Sequence, residues 1–363
     1  MFKKIHASFN HRNSRKFHMM QIEPSLLCNI RCVMCPWIEH RAAFGNHMNW
    51  DTFMKIAETL HMAEEVDLTG GGEPLCYPRI PEMVKIIKAA GCKVGFSTNG
   101  LLLTKDLSKE LIQLGLDWIS FSVDAAEAST YESIRRGASF EKVINNIRTL
   151  HQNKQALHSP TPKMMMVFVI MTGEIENYQQ LPDYIEMAHQ IGVEHVIAKN
   201  LDVILKDGDD QRRLFNHDGQ VFHPLQLALT EAEQRARHLG IKFRRYAVHP
   251  SEQTVCEQNP TRNLFISWDG DVSPCITLSY TESRIFNGER IHVPSQRYGN
   301  INQHTLEEIW NHPEYRAFRH VYTDRLHNYQ QSMIDSILGG ETPPEANPAA
   351  PEVCKSCYFL YGI

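Results

Sequence analysis

Long apolar runs are missing from this sequence. The longest, Met164 to Met171, is far short of the roughly 20 residues a helix needs to cross a bilayer. The N-terminus offers Lys3, Lys4, Arg12, Arg15 and Lys16 with no apolar stretch behind them, so no secretory signal peptide is expected. Neither sign of charge is in large excess: Lys plus Arg number 37 and Asp plus Glu 42, a net charge of −5. The average surface is therefore not that of a nucleic-acid binder. The 19 histidines form no H-E-x-x-H pair, and there is neither a P-loop nor a Gly-x-Ser-x-Gly elbow. Those absences set aside the helical zinc-protease site, the phosphate-binding loop and the hydrolase nucleophile. The expected compartment is the cytoplasm, where thiols stay reduced.

What is present is ordinary globular composition, 42% hydrophobic and 22% charged over 363 residues. That length suggests two domains, or one large barrel with an appendage. Strands are expected at 18–23, 66–69, 92–97, 117–123, 164–171 and 194–198, the fifth apolar enough to be buried on both faces. Helices are expected between them at 50–64, 81–90, 105–114, 140–152 and 178–190. This alternation implies a parallel sheet, as a six-unit partial (β/α) barrel or a doubly wound open sheet. After residue 200 the pattern breaks. Residues 206–223 read as an insertion, 225–239 as a helix, and 256–301 as short strands with a hairpin signal at Trp268-Asp269-Gly270-Asp271. Residues 305–320 read as a helix opened by the capping-box pattern Thr305-x-x-Glu308, and 339–352 as a proline-rich loop.

The cysteines are unevenly spread. Cys28, Cys32 and Cys35 form C-x3-C-x2-C, Cys354 and Cys357 form C-x2-C, and Cys256, Cys275, Cys76 and Cys92 stand singly. Clustered cysteines without a secretory signal point to metal ligands. Three thiolates on one loop suit three irons of a cubane cluster and leave the fourth iron open. A zinc ion with His40 or His47 as fourth ligand is the alternative. The cysteine loop, Gly70-Gly71-Gly72-Glu73-Pro74, Thr98-Asn99-Gly100 and Asp124 all follow predicted strand ends. In (β/α) barrels that face carries the active site.

Cys28-Asn29-Ile30-Arg31-Cys32-Val33-Met34-Cys35 followed by Gly71-Gly72-Glu73-Pro74 resembles the radical S-adenosylmethionine (SAM) superfamily. Met34 stands where many members carry an aromatic residue, with Trp37 nearby as apolar cover. The resemblance implies a [4Fe–4S] cluster on Cys28, Cys32 and Cys35 that binds SAM through its open iron. It implies that Gly71 and Gly72 bring backbone to the methionine amine and that Glu73 helps hold that end. Ser122 and Arg135 match positions that touch ribose and carboxylate, and Asn99 and Asp124 lie on the same face. Cys256, Cys275, Cys354 and Cys357, with Trp268-Asp269-Gly270-Asp271-Val272 and Tyr298-Gly299-Asn300-Ile301, resemble the twitch domain, a shortened SPASM domain. That implies one auxiliary [4Fe–4S] cluster, with structural zinc as the alternative.

The expected fold is thus α/β: a partial (β/α)6 TIM-type barrel followed by a small α+β cysteine-bearing twitch/SPASM-like domain. The expected divisions are a basic arm 1–17, a radical SAM core 18–200, a connecting segment 201–250 and the auxiliary-cluster domain 251–363. The resemblance implies reductive cleavage of SAM to a 5′-deoxyadenosyl radical that removes a substrate hydrogen atom. Oxidation or epimerisation of a small molecule (a sugar or aminocyclitol) or of a ribosomal peptide is the leading expectation. An RNA- or protein-modifying radical SAM enzyme and a non-catalytic zinc-binding protein are the alternatives. Flavodoxin or ferredoxin is the expected electron donor. Cys76, beside the glycine motif, is a candidate hydrogen-atom donor, whereas free cysteine more often serves as packing.

Overall fold

The computed structural model describes residues 15–201, 203–205, 223–337 and 348–363. Residues 1–14 of the basic arm, 206–222 of the insertion and 339–347 of the loop lie outside the described residues.

Nine strands make one sheet: β1 (Phe17–Ile22), β3 (Ala63–Asp67), β4 (Lys93–Thr98), β5 (Trp118–Ser122), β7 (Lys163–Val169), β8 (His195–Lys199), β9 (Lys242–Arg245), β10 (Asn263–Ile266) and β11 (Val272–Ser273). The order is β11-β10-β1-β3-β4-β5-β7-β8-β9, and only the β10–β11 pair is antiparallel. The sheet does not close, so the expected six strands form a partial barrel with extra strands on both edges. β10 pairs with β1, so the hairpin read at 268–271 belongs to this same sheet. A two-residue ladder joins β2 (Arg31–Cys32) to β6 (Arg135–Arg136), and β12 (Glu282–Phe286) pairs with β13 (Glu289–Val293).

The helices α1 (Ile38–Phe44), α2 (Trp50–Ala57), α3 (Ile80–Ala89), α4 (Lys105–Gln113), α5 (Ala128–Ile134), α6 (Phe140–Ala156), α7 (Leu181–Gln190) and α8 (His223–Leu239) follow the strands. Asn49, Thr104 and Ser139 cap α2, α4 and α6 by accepting from backbone N–H groups of the first turn. The expected 50–64 helix stops at Ala57, and β3 begins already at Ala63 after a 3₁₀ turn at Leu60–Met62. The expected 305–320 helix is two helices, α9 (Leu306–Trp310) and α10 (Pro313–Ile337). Pro313 has no N–H to donate and disfavours helical backbone at His312, yet suits the start of a new helix. α1 buries none of its side chains, so no apolar stripe announces it.

β7 corrects the expectation of burial on both faces. Met164, Met166 and Phe168 are fully buried, whereas Met165, Val167 and Val169 are only partly covered. Register places Ser120 beside Met165, Ser122 beside Val167, and Val169 beside Lys199. The partly covered face of the sheet therefore carries polar groups and leaves room, and the other is sealed. A smaller core of Leu278, Val293, Phe318, Tyr322, Ala350, Cys354 and Leu360 lies in the C-terminal part.

Candidate metal centres

After β1 the chain turns at Glu23-Pro24 into the loop of Cys28, Cys32 and Cys35. Glu73 N donates to Leu27 O at 2.8 Å and Val33 N to Ile134 O at 2.9 Å, fixing the loop at both ends. All three thiols are free and within electrostatic range of one another. Burial pushes Cys32 up to about 11 against the pull of Arg135, whose Nη1 lies 3.5 Å from the sulfur. Arg41 Nη2 donates to the Cys35 sulfur at 2.7 Å, and Asn99 Nδ2 stands 4.0 Å from that of Cys28. Each sulfur thus has an N–H donor aimed at it, the surroundings a thiolate ligand requires.

The glycine motif packs directly on this loop. A Cβ on Gly72 would stand 2.4 Å from the backbone oxygens of Ser25 and Leu27, and one on Gly71 would stand 2.9 Å from Leu26 and Trp37. These glycines are therefore needed for contact between the two loops, a reason absent from the sequence reading. Glu73 is buried, and it accepts from Thr98 Oγ1 at 2.6 Å, Asn99 N at 2.7 Å and Leu75 N at 3.1 Å. It ties the glycine loop to the end of β4. Asn99 Nδ2 donates to Asn29 Oδ1 at 2.8 Å, which carries that tie to the cysteine loop.

Ser122 ends β5, half-buried, and its hydroxyl has no hydrogen-bond partner among the described residues. Asp124 is 0% exposed, accepts from Val169 N at 2.9 Å, and pairs with Arg135 Nε at 2.7 Å. Its carboxylate is thus engaged within the protein, where it holds Arg135. Cys76 is half-buried, 3.9 Å from Asn29 Oδ1, its thiol pushed up to about 11 by burial. Cys92 is buried against Leu60 O and Ala63 O, as packing.

Cys354 lies in the smaller core with Cys275 packed against it, and Cys256 and Cys357 are within electrostatic range of both. Cys256, Cys275, Cys354 and Cys357 are all free and electrostatically coupled to one another. Burial pushes Cys256 up to about 12 and Cys275 up to about 11. The chemistry of the donor set fits iron–sulfur clusters at both places. His40 packs against Tyr280 with ring centroids 4.8 Å apart and tilted by 31°, and His47 Nδ1 lies 3.0 Å from Ser25 Oγ.

Three functional positions escaped the sequence reading. Glu23 is 0% exposed at the end of β1 and accepts from Gly71 N at 2.6 Å, Tyr280 Oη at 2.9 Å and Trp268 N at 3.2 Å. It joins the glycine motif to the segments on either side of Cys275. Burial raises its carboxyl to about 7, and the three hydrogen bonds only partly offset that. The strand-end criterion that found Asp124 applies equally to Glu23. Arg325, 2% exposed on α10, donates to Thr254 O, Gln253 O and Pro348 O, and so braces the segments that lead to Cys256 and Cys354. Arg41 on α1, at the Cys35 sulfur, is the third.

Residues 22–188 match the family model of the Radical SAM superfamily, and residues 256–358 match that of the SPASM iron–sulfur cluster-binding domain. The chain is a radical SAM protein with a C-terminal SPASM domain. Its two domains carry a SAM-binding [4Fe–4S] cluster and an auxiliary cluster. The tungsten-containing aldehyde ferredoxin oxidoreductase cofactor-modifying protein of Pyrococcus furiosus is 28% identical over 315 residues, 85% of each chain. The AdoMet-dependent heme synthase of Methanosarcina barkeri is 23% identical over 308 residues, 79% of this chain and 80% of that one. Among solved structures, Streptococcus suis SuiB bound to S-adenosylmethionine superposes with a TM-score of 0.62 at 15% identity, covering 84% of this chain and 68% of that one. Native anSMEcpe with bound AdoMet gives 0.62 at 14% identity, covering 84% of this chain and 83% of that one. These structural likenesses bear on the fold, an α/β partial barrel with an appended iron–sulfur domain. No described helix of this radical SAM protein is long and apolar enough to cross a membrane.

Proposed function

We propose that this enzyme oxidises an unactivated C–H bond of a polar small molecule or peptide held between the barrel and the SPASM domain. Cys28, Cys32 and Cys35 hold the SAM-binding cluster, and Cys256, Cys275, Cys354 and Cys357 the auxiliary one. The reduced cluster with SAM supplies methionine and a 5′-deoxyadenosyl radical. Gly71 and Gly72 present backbone to the methionine end, in a loop that Glu73 and Glu23 fix in place. Ser122 offers its free hydroxyl, Arg135 its guanidinium and Asn99 its side chain, while Asp124 orients Arg135.

The observation that carries this reading is the convergence of the three-cysteine loop, the glycine motif and Asn99 into one hydrogen-bonded unit at the strand ends. A cavity of about 580 Å³ lies beside it, lined by Pro36 of the cysteine loop, Glu39 and His40 of α1, Leu205 after β8, and Glu282, Arg290 and His292 of the SPASM domain. Its lining is largely polar, which suits a polar substrate. A four-thiolate auxiliary site has no open position for substrate, which favours a role as electron acceptor and a net two-electron oxidation. Flavodoxin or ferredoxin in the cytoplasm supplies the priming electron.

The test is iron and acid-labile sulfide in anaerobically prepared protein, wild type beside a Cys28/Cys32/Cys35→Ala triple variant, with 5′-deoxyadenosine release measured in parallel. About eight irons falling to about four, with loss of 5′-deoxyadenosine, is expected. Zinc without sulfide would overturn the reading. Cys76→Ala is expected to change the stereochemistry or yield of product only if Cys76 returns a hydrogen atom to the substrate.

A further inference from the structure

The β2–β6 ladder sets four residues in two opposed pairs, Arg31 against Arg136 and Cys32 against Arg135. Alternation along each strand sends them to opposite faces. Cys32 and Arg135 are buried, whereas Arg31 and Arg136 are exposed. The buried arginine is neutralised by Asp124. The exposed arginines have no ion-pair or hydrogen-bond partner for their side chains among the described residues. Like charges directly opposite each other on paired strands are destabilising. Two unneutralised arginines are thus held face to face, at a cost to the ladder, one residue from Cys32.

From this we infer that Arg31 and Arg136 form the docking point for an acidic one-electron carrier protein. The inference rests on the proposed assignment of Cys32 to the SAM-binding cluster. The chain is net negative at −5, so an acidic carrier is repelled by the average surface and oriented by a local positive pair. The step is a single electron transfer: the carrier loses one electron, the oxidised cluster gains it, and no proton or covalent bond changes place. An electron entering over this pair reaches Cys32 through the backbone of Arg31.

The experiment uses the full chain, reconstituted anaerobically, with reduced flavodoxin as carrier and dithionite as a small chemical reductant. Cluster reduction is followed by stopped-flow absorbance and by electron paramagnetic resonance, independently of turnover. The Arg31→Glu/Arg136→Glu variant is expected to accept electrons from flavodoxin about tenfold more slowly at low salt and to lose most of its salt dependence. Its reduction by dithionite is expected to match wild type, and Arg31→Lys/Arg136→Lys to restore the flavodoxin rate. The single Gln variants, which barely perturb the ladder, are each expected to slow flavodoxin by about threefold. An unchanged flavodoxin rate would overturn the proposal. Equal slowing with dithionite would also overturn it, because the charges would then act on the cluster rather than on docking. Salt-sensitive binding of RNA at this face with no effect on reduction would assign the pair to nucleic acid instead. Failure of the cluster assignment shows separately, as wild-type protein that dithionite does not reduce.

Discussion

Replacing Glu23 tests whether one buried carboxyl joins the SAM-binding loop to the SPASM domain. Three donors converge on it, Gly71 N on Oε1 and Trp268 N and Tyr280 Oη on Oε2. In Glu23→Ala both backbone N–H groups are left buried without an acceptor, at about 1–3 kcal/mol each, while the tyrosine hydroxyl can turn away. The expected loss is on the order of 4 kcal/mol, with SAM affinity falling about tenfold as Gly71 loses its anchor. Glu23→Gln keeps one carbonyl oxygen for Gly71 and can donate to the tyrosine oxygen, so only the Trp268 bond is forfeited, about 1–2 kcal/mol.

The pH dependence separates burial from hydrogen bonding. Burial raises the folded-state pKa of Glu23 to about 7, from an ordinary value of 4.5. A raised carboxyl contributes stability that is fully present below about 4.5 and is lost as pH rises through about 7. Glutamine does not titrate. The wild-type advantage over Glu23→Gln is therefore expected to be largest near pH 5 and to shrink or reverse by about pH 8, a swing of up to about 3 kcal/mol. Urea unfolding of anaerobic protein at matched iron content, in steps across that range, reads it directly. An advantage that grows with pH would refute the reasoning, because the three donors would then outweigh desolvation and the group would be an ordinary stabilised carboxylate.

Other expectations follow from single contacts. Arg135→Met leaves Asp124 buried without its partner and is expected to cost about 3–5 kcal/mol. It also removes the donor at the Cys32 sulfur, moving the SAM-binding cluster to a more negative potential in an EPR-monitored redox titration. Arg135→Met/Asp124→Asn is expected to recover part of the stability but not the potential. Arg325→Met strips donors from three backbone carbonyls around the auxiliary site. It is expected to lower iron from about eight to about four per chain while the SAM-binding cluster keeps its EPR signal. Thr305→Ala breaks the observed capping box of α9 and is expected to cost about 1 kcal/mol in thermal unfolding without changing iron content.

The parts of this molecule that were legible in its sequence are those in which spacing is itself chemistry. Cys28, Cys32 and Cys35 are close in the chain, so their loop announces a shared ligand before any fold is known. The six alternating strands were legible because apolar runs between turn residues survive in a core that is sealed on at least one face. Glu23 and Arg325 were not, because nothing near them in the chain shows what they hold. Glu23 meets Trp268 and Tyr280 more than 240 residues away, and Arg325 braces segments about 70 and 23 residues away. The glycine motif is an intermediate case. Its presence was readable, but its packing against Ser25 and Leu27 depends on two loops whose distance only the sheet sets. The buried polar residues that link loops across the sheet are thus the ones that a single sequence hides.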